Sequence, residues 1–199
     1  MTRDYLDLPL QEFLSEVATP EPMPGAGYCA AVSLSMAAGL VAMAAGASRG
    51  EWAEAKGAAA QANTLRERVA PLAQRNVDAY ASAIARLRAA EFAPKPEPGS
   101  DPSQDLGALL ERAAQIPLEI AQAAVDVASL AAVVAERGDQ ALRPDAVAAA
   151  LLAQGVARAA ATLVEVNLGT TDSDPRVVSV RNLAGSANAA AERALSTLA

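Results

Sequence analysis

Apolar residues recur along this chain at steps of three and four, and no stretch shows the alternation of a half-buried strand. Leu8, Leu10, Phe13, Leu14 and Val17 outline a short amphipathic helix with Pro9 near its first turn. A Pro-rich loop over 18–24 follows. From Gly25 to Ser48 the chain carries no charge and is mostly Ala, Gly and Ser, which predicts a helix buried all round. Beyond Gly50, the residues Leu65, Val69, Leu72, Asn76, Tyr80, Ala83 and Leu87 share one face of a very long helix over about 51–91. Pro71 is expected to kink it.

The composition of 94–102 predicts a loop between the two halves of the chain. Asp101-Pro102 reads as the start of a helix that kinks or breaks at Pro117 and stops at Gly138. The next starts near Arg143-Pro144-Asp145 and stops at Gly169, and Asp174-Pro175 caps a last one. The expected fold is all-α: a bundle of about six helices, several long, around a central small-residue helix, in one domain over 1–199.

Composition narrows the chemistry. Of 199 residues, 52% are hydrophobic but only 3% aromatic, so the core must come from closely approaching Ala-rich helices. A net charge of −7 and the lack of a basic stripe argue against a nucleic-acid partner. There is no histidine, which removes Ser-His-Asp and Cys-His pairs and His-based zinc sites. Proton transfer is left to Asp, Glu, Lys, Tyr or water. No metal and no cofactor are expected. Cys29 is the lone cysteine and is expected to be a buried small hydrophobe, consistent with a reducing compartment. The first residues are polar and acidic, unlike a secretory signal, and the expected location is cytoplasmic. Residues 25–48 are long enough to cross a bilayer, but they lack the Leu, Ile and Phe density of a span, so no membrane partner is expected.

Several features point to a site. The start of the small-residue helix offers free N–H groups and positive partial charge to a ligand. Asn76 lies on an apolar stripe, four residues before Tyr80 and on the same face. It is either a satisfied core asparagine or a ligand contact. Glu165 sits among Leu163, Val164, Val166 and Leu168, where burial would raise its pKa unless it reaches solvent or an arginine.

The order of these pieces resembles the cyclodeaminase/cyclohydrolase family, which includes the C-terminal domain of formiminotransferase-cyclodeaminase and bacterial methenyltetrahydrofolate cyclohydrolases. The resemblance runs through Phe13-Leu14, the loop Pro24-Gly25-Ala26-Gly27, the Ala-rich helix with Met43, and Asp78-Ala79-Tyr80. It continues through Ile116-Pro117-Leu118, Asp145 after Arg143-Pro144, and Val166-Asn167-Leu168. It implies an all-α homodimer acting on a reduced folate, with metal-free ring closure or ring opening at the one-carbon atom. Substrate contacts are then expected from Gly25, Ala26, Gly27, Tyr28, Asp145 and Asn167. The chemistry is expected from Asn76 and Tyr80, with Asp78 or Glu165 as proton carriers.

The chain departs from the family pattern where the chemistry is done. The family's Pro-Gly-Gly-Gly-Ser loop is Pro24-Gly25-Ala26-Gly27-Tyr28 here. This is either a re-shaped pocket or simple drift. Aligning the family's Asp-x-x-Ala-(Phe/Tyr) on Ala79-Tyr80 puts Asn76 in the acid position, and an amide does not shuttle protons as a carboxylate does. Asp78 is two residues away, about 200° around the helix, and points elsewhere. A family asparagine is Leu163 here, and Glu51-Trp52 follow Gly50 where the family has basic residues. Two functions remain open: an active one-carbon enzyme, or one acting on a related cyclic amidine or imine, and an impaired member that binds a small molecule or serves as a scaffold dimer.

Overall fold

The computed structural model describes residues 4–21, 23–50, 52–91, 102–169 and 174–199, without the side chains of 49, 84, 86–91 and 102–106. Among the described residues there are six α-helices and no strand: α1 (Leu10–Val17), α2 (Ala26–Ala47), α3 (Ala55–Glu91), α4 (Pro102–Arg137), α5 (Arg143–Leu168) and α6 (Pro175–Ser196). The expected all-α bundle is what forms. The proposed 94–102 loop lies outside the described residues except for Pro102, which opens α4.

The helices pair as α2 with α3 and α4 with α5. The inner surface of α2 also packs on α5, and α6 closes the other side against α4 and α5. The core is largely alanine, with Ala31, Ala37, Ala38, Ala124, Ala128, Ala131, Ala150, Ala157 and Ala160 fully buried. Alanine suits this role because its burial costs no side-chain entropy and it has the highest helix propensity. Leu34, Val41, Ile120, Val127 and Val134 fill the remaining space.

The boundaries follow the chain's own signals. Asp174 caps α6 by accepting from the Arg176 N–H at 2.8 Å. Gly169 ends α5 with φ +58°, donating to the carbonyls of Glu165 and Val166. That left-handed conformation is available to glycine at little cost. At the far end of the bundle the fully buried Ser48 hydroxyl donates to the Ala44 carbonyl at 2.7 Å and accepts from the Asp139 N–H at 2.8 Å. It ties the end of α2 to the end of α4.

Three expectations change. Helical structure continues through both Pro71 in α3 and Pro117 in α4, so Pro117 does not break α4. Pro71 is exposed, so the carbonyl it leaves unpaired one turn earlier can face solvent. The stripe of α1 is not buried as a face: Phe13 is buried, whereas Leu10 and Leu14 are 67% and 58% exposed. Nor is α2 buried all round, since Met36 and Met43 on its outer side are 55% and 46% exposed. Among the described residues, three segments are long and apolar enough to cross a membrane: Ala26–Ala47, Gly107–Arg137 and Gln140–Leu168. Between 44% and 56% of each apolar window is buried inside the bundle, so helix packing accounts for much of this apolarity.

Candidate functional site

Four helices meet around a cavity of about 220 Å³. Gly25, Ala26 and Gly27 at the start of α2 form one wall, with Met23 beside them. From α3 come Asn76, Val77 and Tyr80, from α4 Pro117, and from the last turns of α5 Leu163, Val166 and Asn167. Apolar side chains make the sides, and two carboxamides and a phenol supply the polar points.

The start of α2 is open. Gly25 is its N-cap and supplies no side-chain hydrogen bond, and the first helical bond runs from Cys29 N–H to the Gly25 carbonyl. The N–H groups of the first turn therefore have no acceptor within the helix, and they carry the positive end of the helix dipole. Gly27 is buried directly under Asn76. A Cβ built on Gly27 would fall 2.5 Å from the Asn76 Cγ, well inside contact distance. Only a residue without a side chain lets α2 and α3 approach so closely with Asn76 between them.

Asn76 and Asn167 are both half-buried, and neither has a hydrogen-bond partner among the described residues. Each presents a donor and an acceptor toward the cavity. Tyr80 is 38% exposed at the same site. It is the only titratable side chain among the described lining residues. No carboxylate and no cation lines the cavity among them.

The fold thus brings together Gly25, Ala26, Gly27, Asn76, Tyr80 and Asn167, and separates four other candidates from them. Tyr28 is fully buried on another side of α2, with its ring 5.5 Å from Tyr5 and 5.6 Å from Phe13. There it anchors α1 and the N-terminal segment. Burial, reinforced by the Asp4 and Asp7 carboxylates, pushes its phenol well above the usual tyrosine range. Asp78 faces outward and accepts from the Gln74 amide at 3.0 Å. Glu165 forms an ion pair with Arg181 at 2.9 Å on the α6 side of α5. Asp145 sits in the first turn of α5, 22 residues before Asn167 and so about 33 Å away along the helix. Cys29 is only partly buried, and burial raises its thiol pKa, which makes it a poor nucleophile at neutral pH.

Nothing in the sequence marks Met23 or Val77 as a pocket wall. Val166 is marked only by adjoining Asn167 in the last turns of α5, and Leu163 and Pro117 only by their places in the family pattern. Leu163 lies one turn before Asn167 and shares its face.

A larger open groove of about 490 Å³ lies elsewhere, between the start of α3 and the middle of α4, and is lined by Trp52, Glu54 and Asp126 among others. None of the predicted site residues reaches it. Among the described residues no group of His, Cys, Asp and Glu side chains is placed to hold a metal ion.

No curated protein sequence matches the chain significantly. The crystal structure of formiminotetrahydrofolate cyclodeaminase from Thermotoga maritima superposes with a TM-score of 0.82 at 22% sequence identity, covering 98% of each chain. At that identity the likeness establishes the shared fold. The family model for formiminotransferase-cyclodeaminase matches residues 9–184, so the chain belongs to that family.

Proposed function

We propose that this chain binds the one-carbon head group of a reduced folate, or a related cyclic amidine or imine, in the cavity between Asn76 and Asn167, and turns it over poorly. The observation that carries this reading is the neutral carboxamide of Asn76 in a cavity where the described lining holds no carboxylate. A positioned acid or base contributes about 10²–10⁴-fold to such reactions. An amide forfeits that factor but keeps the hydrogen bonds that hold a ligand.

Each part of the site has a role in binding. The carboxamides of Asn76 and Asn167 pair with the edge of a cyclic amide or amidine. The open first turn of α2 receives a carbonyl oxygen or a developing negative charge. Val77, Pro117 and Leu163 cover the faces of a flat ring. Tyr80 orients a water or a ligand group at the mouth. Asp78, Glu165, Asp145 and Tyr28 take no part within one chain, and no cofactor is required.

One observation favours a second reading, an active cyclohydrolase or cyclodeaminase: the Tyr80 phenol lines the same cavity and can carry a proton. On either reading the protein works in the cytoplasm, and as a homodimer, using the exposed outer side of α2 around Met36 and Met43. Sedimentation giving a monomer would remove the dimer from this account.

Mixing the protein with 5,10-methenyltetrahydrofolate separates the readings. Saturable binding by calorimetry with little acceleration of the loss of near-ultraviolet absorbance is the expected result. Fast turnover that Tyr80→Phe abolishes would favour the second reading. Absence of binding by any reduced folate would overturn both.

A further inference from the structure

Resting on that ligand-binding reading, we propose that Arg75 and Glu119 are positioning residues: their ion pair latches the part of α3 beyond Pro71, the part that carries Asn76, Val77 and Tyr80 into the cavity wall. The helix is weakest just before that part. Pro71 has no N–H, so the Glu67 carbonyl one turn earlier loses its α-helical partner. All three α3 residues that line the cavity lie past this point. Packing thins there too. Before Pro71, Ala55, Ala58, Ala59, Ala62, Leu65 and Val69 are buried. Beyond it Leu72, Ala73 and Val77 are buried, and then no residue from 78 to 82 is.

The seam between α3 and α4 carries two ion pairs, one on each side of Pro71. Before it, Arg68 donates to the Asp126 carboxylate at 2.7 Å. After it, Arg75 places its two terminal nitrogens on the two Glu119 oxygens, at 2.8 and 3.2 Å. Such a fork-to-fork pair fixes direction as well as distance. Arg75 adjoins Asn76, and Glu119 lies two residues past Pro117, so the pair joins the two helices where both line the cavity.

The neighbour on the other side cannot do this. Toward α2, Asn76 meets Gly27, which has no side chain to interlock with it. The directional tie on this part of α3 comes from α4. An exposed ion pair adds little to the stability of the whole protein. Its effect here is local, on how often one segment departs from its place.

Hydrogen exchange read by mass spectrometry tests the latch on the unliganded protein. Glu119→Gln should speed exchange over 72–83 by about fivefold and leave 55–69 unchanged, with the urea midpoint nearly unmoved. Asp126→Asn, which cuts the other pair, should not speed exchange over 72–83. Arg75→Glu combined with Glu119→Arg rebuilds the pair in reverse and should restore slow exchange. Pro71→Ala returns the missing N–H, so it should slow exchange over 72–83 and shrink the effect of Glu119→Gln. Calorimetry with 5,10-methenyltetrahydrofolate should show about threefold weaker binding to Glu119→Gln, because the ligand must then impose the order itself, and recovery in the reversed pair.

Unchanged exchange in Glu119→Gln, or a rise spread evenly along α3, would overturn the latch. A reversed pair that still exchanges fast would do the same. Localised exchange with unaltered affinity would overturn the positioning role and leave the folate reading standing. If the wild type binds no reduced folate, the folate reading falls and the positioning role with it, whatever the exchange shows of α3.

Discussion

The carboxamide of Asn76 lies directly on the bare Cα of Gly27, so that the site's central polar side chain and the start of α2 fix each other. Two effects compete when Gly27 is changed to alanine. Alanine is favoured over glycine in a helix by up to about 1 kcal/mol, whereas overpacking costs about 1–3 kcal/mol. The atoms the new methyl would meet are the terminal atoms of the half-buried Asn76 carboxamide, which can swing into the cavity, so the cost should fall below that of overpacking a closed core. Gly27→Ala is expected to cost little stability in urea unfolding but to weaken ligand binding, because Asn76 is pushed out of its place in the site. In an Asn76→Ala background the obstruction is gone, and Gly27→Ala should become neutral or stabilising. An equal cost in both backgrounds would show that the two residues are not coupled.

That relationship marks how far the sequence could be read. The helices and their ends were legible because they depend on local chemistry. Gly169, Asp174-Pro175 and Arg143-Pro144 each act within one turn. Asn76, Tyr80 and Asn167 were legible as a set through the family resemblance and the stripe on α3. What was not legible depends on rotation about a helix axis fixed by distant partners. Tyr28 adjoins Gly27 in sequence, yet the Tyr5 and Phe13 rings, far along the chain, hold it in the core. Glu165 is two residues from Asn167 but turns to Arg181, a partner supplied by α6. The stripe Leu8, Leu10, Phe13, Leu14 and Val17 looks like a core face in sequence, but among the described residues only Phe13 is buried and only Leu8 packs partly against the core, while Leu10, Leu14 and Val17 stay exposed.

Tyr28 offers a test of its own placement. Its hydroxyl is buried with no hydrogen-bond partner among the described residues. An unsatisfied buried hydroxyl costs about 1–3 kcal/mol. Tyr28→Phe should therefore be as stable as the wild type or more so, by roughly 1 kcal/mol, with ligand affinity unchanged. The pH dependence has a definite sign. The native pKa lies above the unfolded value, so the advantage of the neutral phenol is complete below about pH 10 and is lost as pH rises beyond it. Urea unfolding in alkali should show the wild type losing stability relative to Tyr28→Phe. A Tyr28→Phe protein that binds ligand poorly would place Tyr28 in the site after all.

At the start of α6, Asp174 accepts from the Arg176 backbone N–H and from its guanidinium, at 2.7 Å for the shorter side-chain bond. The Arg176 contacts hold its carboxyl below the usual carboxylate range. A depressed native pKa gives stability that is present above the ordinary aspartate value of about 3.9 and is lost as pH falls through the native value. Asp174→Asn keeps a good helix cap but removes the ion pair. The variant should be slightly less stable than the wild type at neutral pH, and the difference should vanish in acid. A gap that persists at the lowest pH would mean the pair contributes through packing rather than charge.

The central claim is that the site is intact for binding and lacks only its proton carrier. The most direct measurement is the rate at which 5,10-methenyltetrahydrofolate is hydrolysed by the wild type and by Asn76→Asp, at saturating ligand. A carboxylate restored at position 76 should raise the rate by about 10²-fold or more, with the dissociation constant changed little. An Asn76→Asp variant that binds the ligand yet is no faster than the wild type would contradict the account.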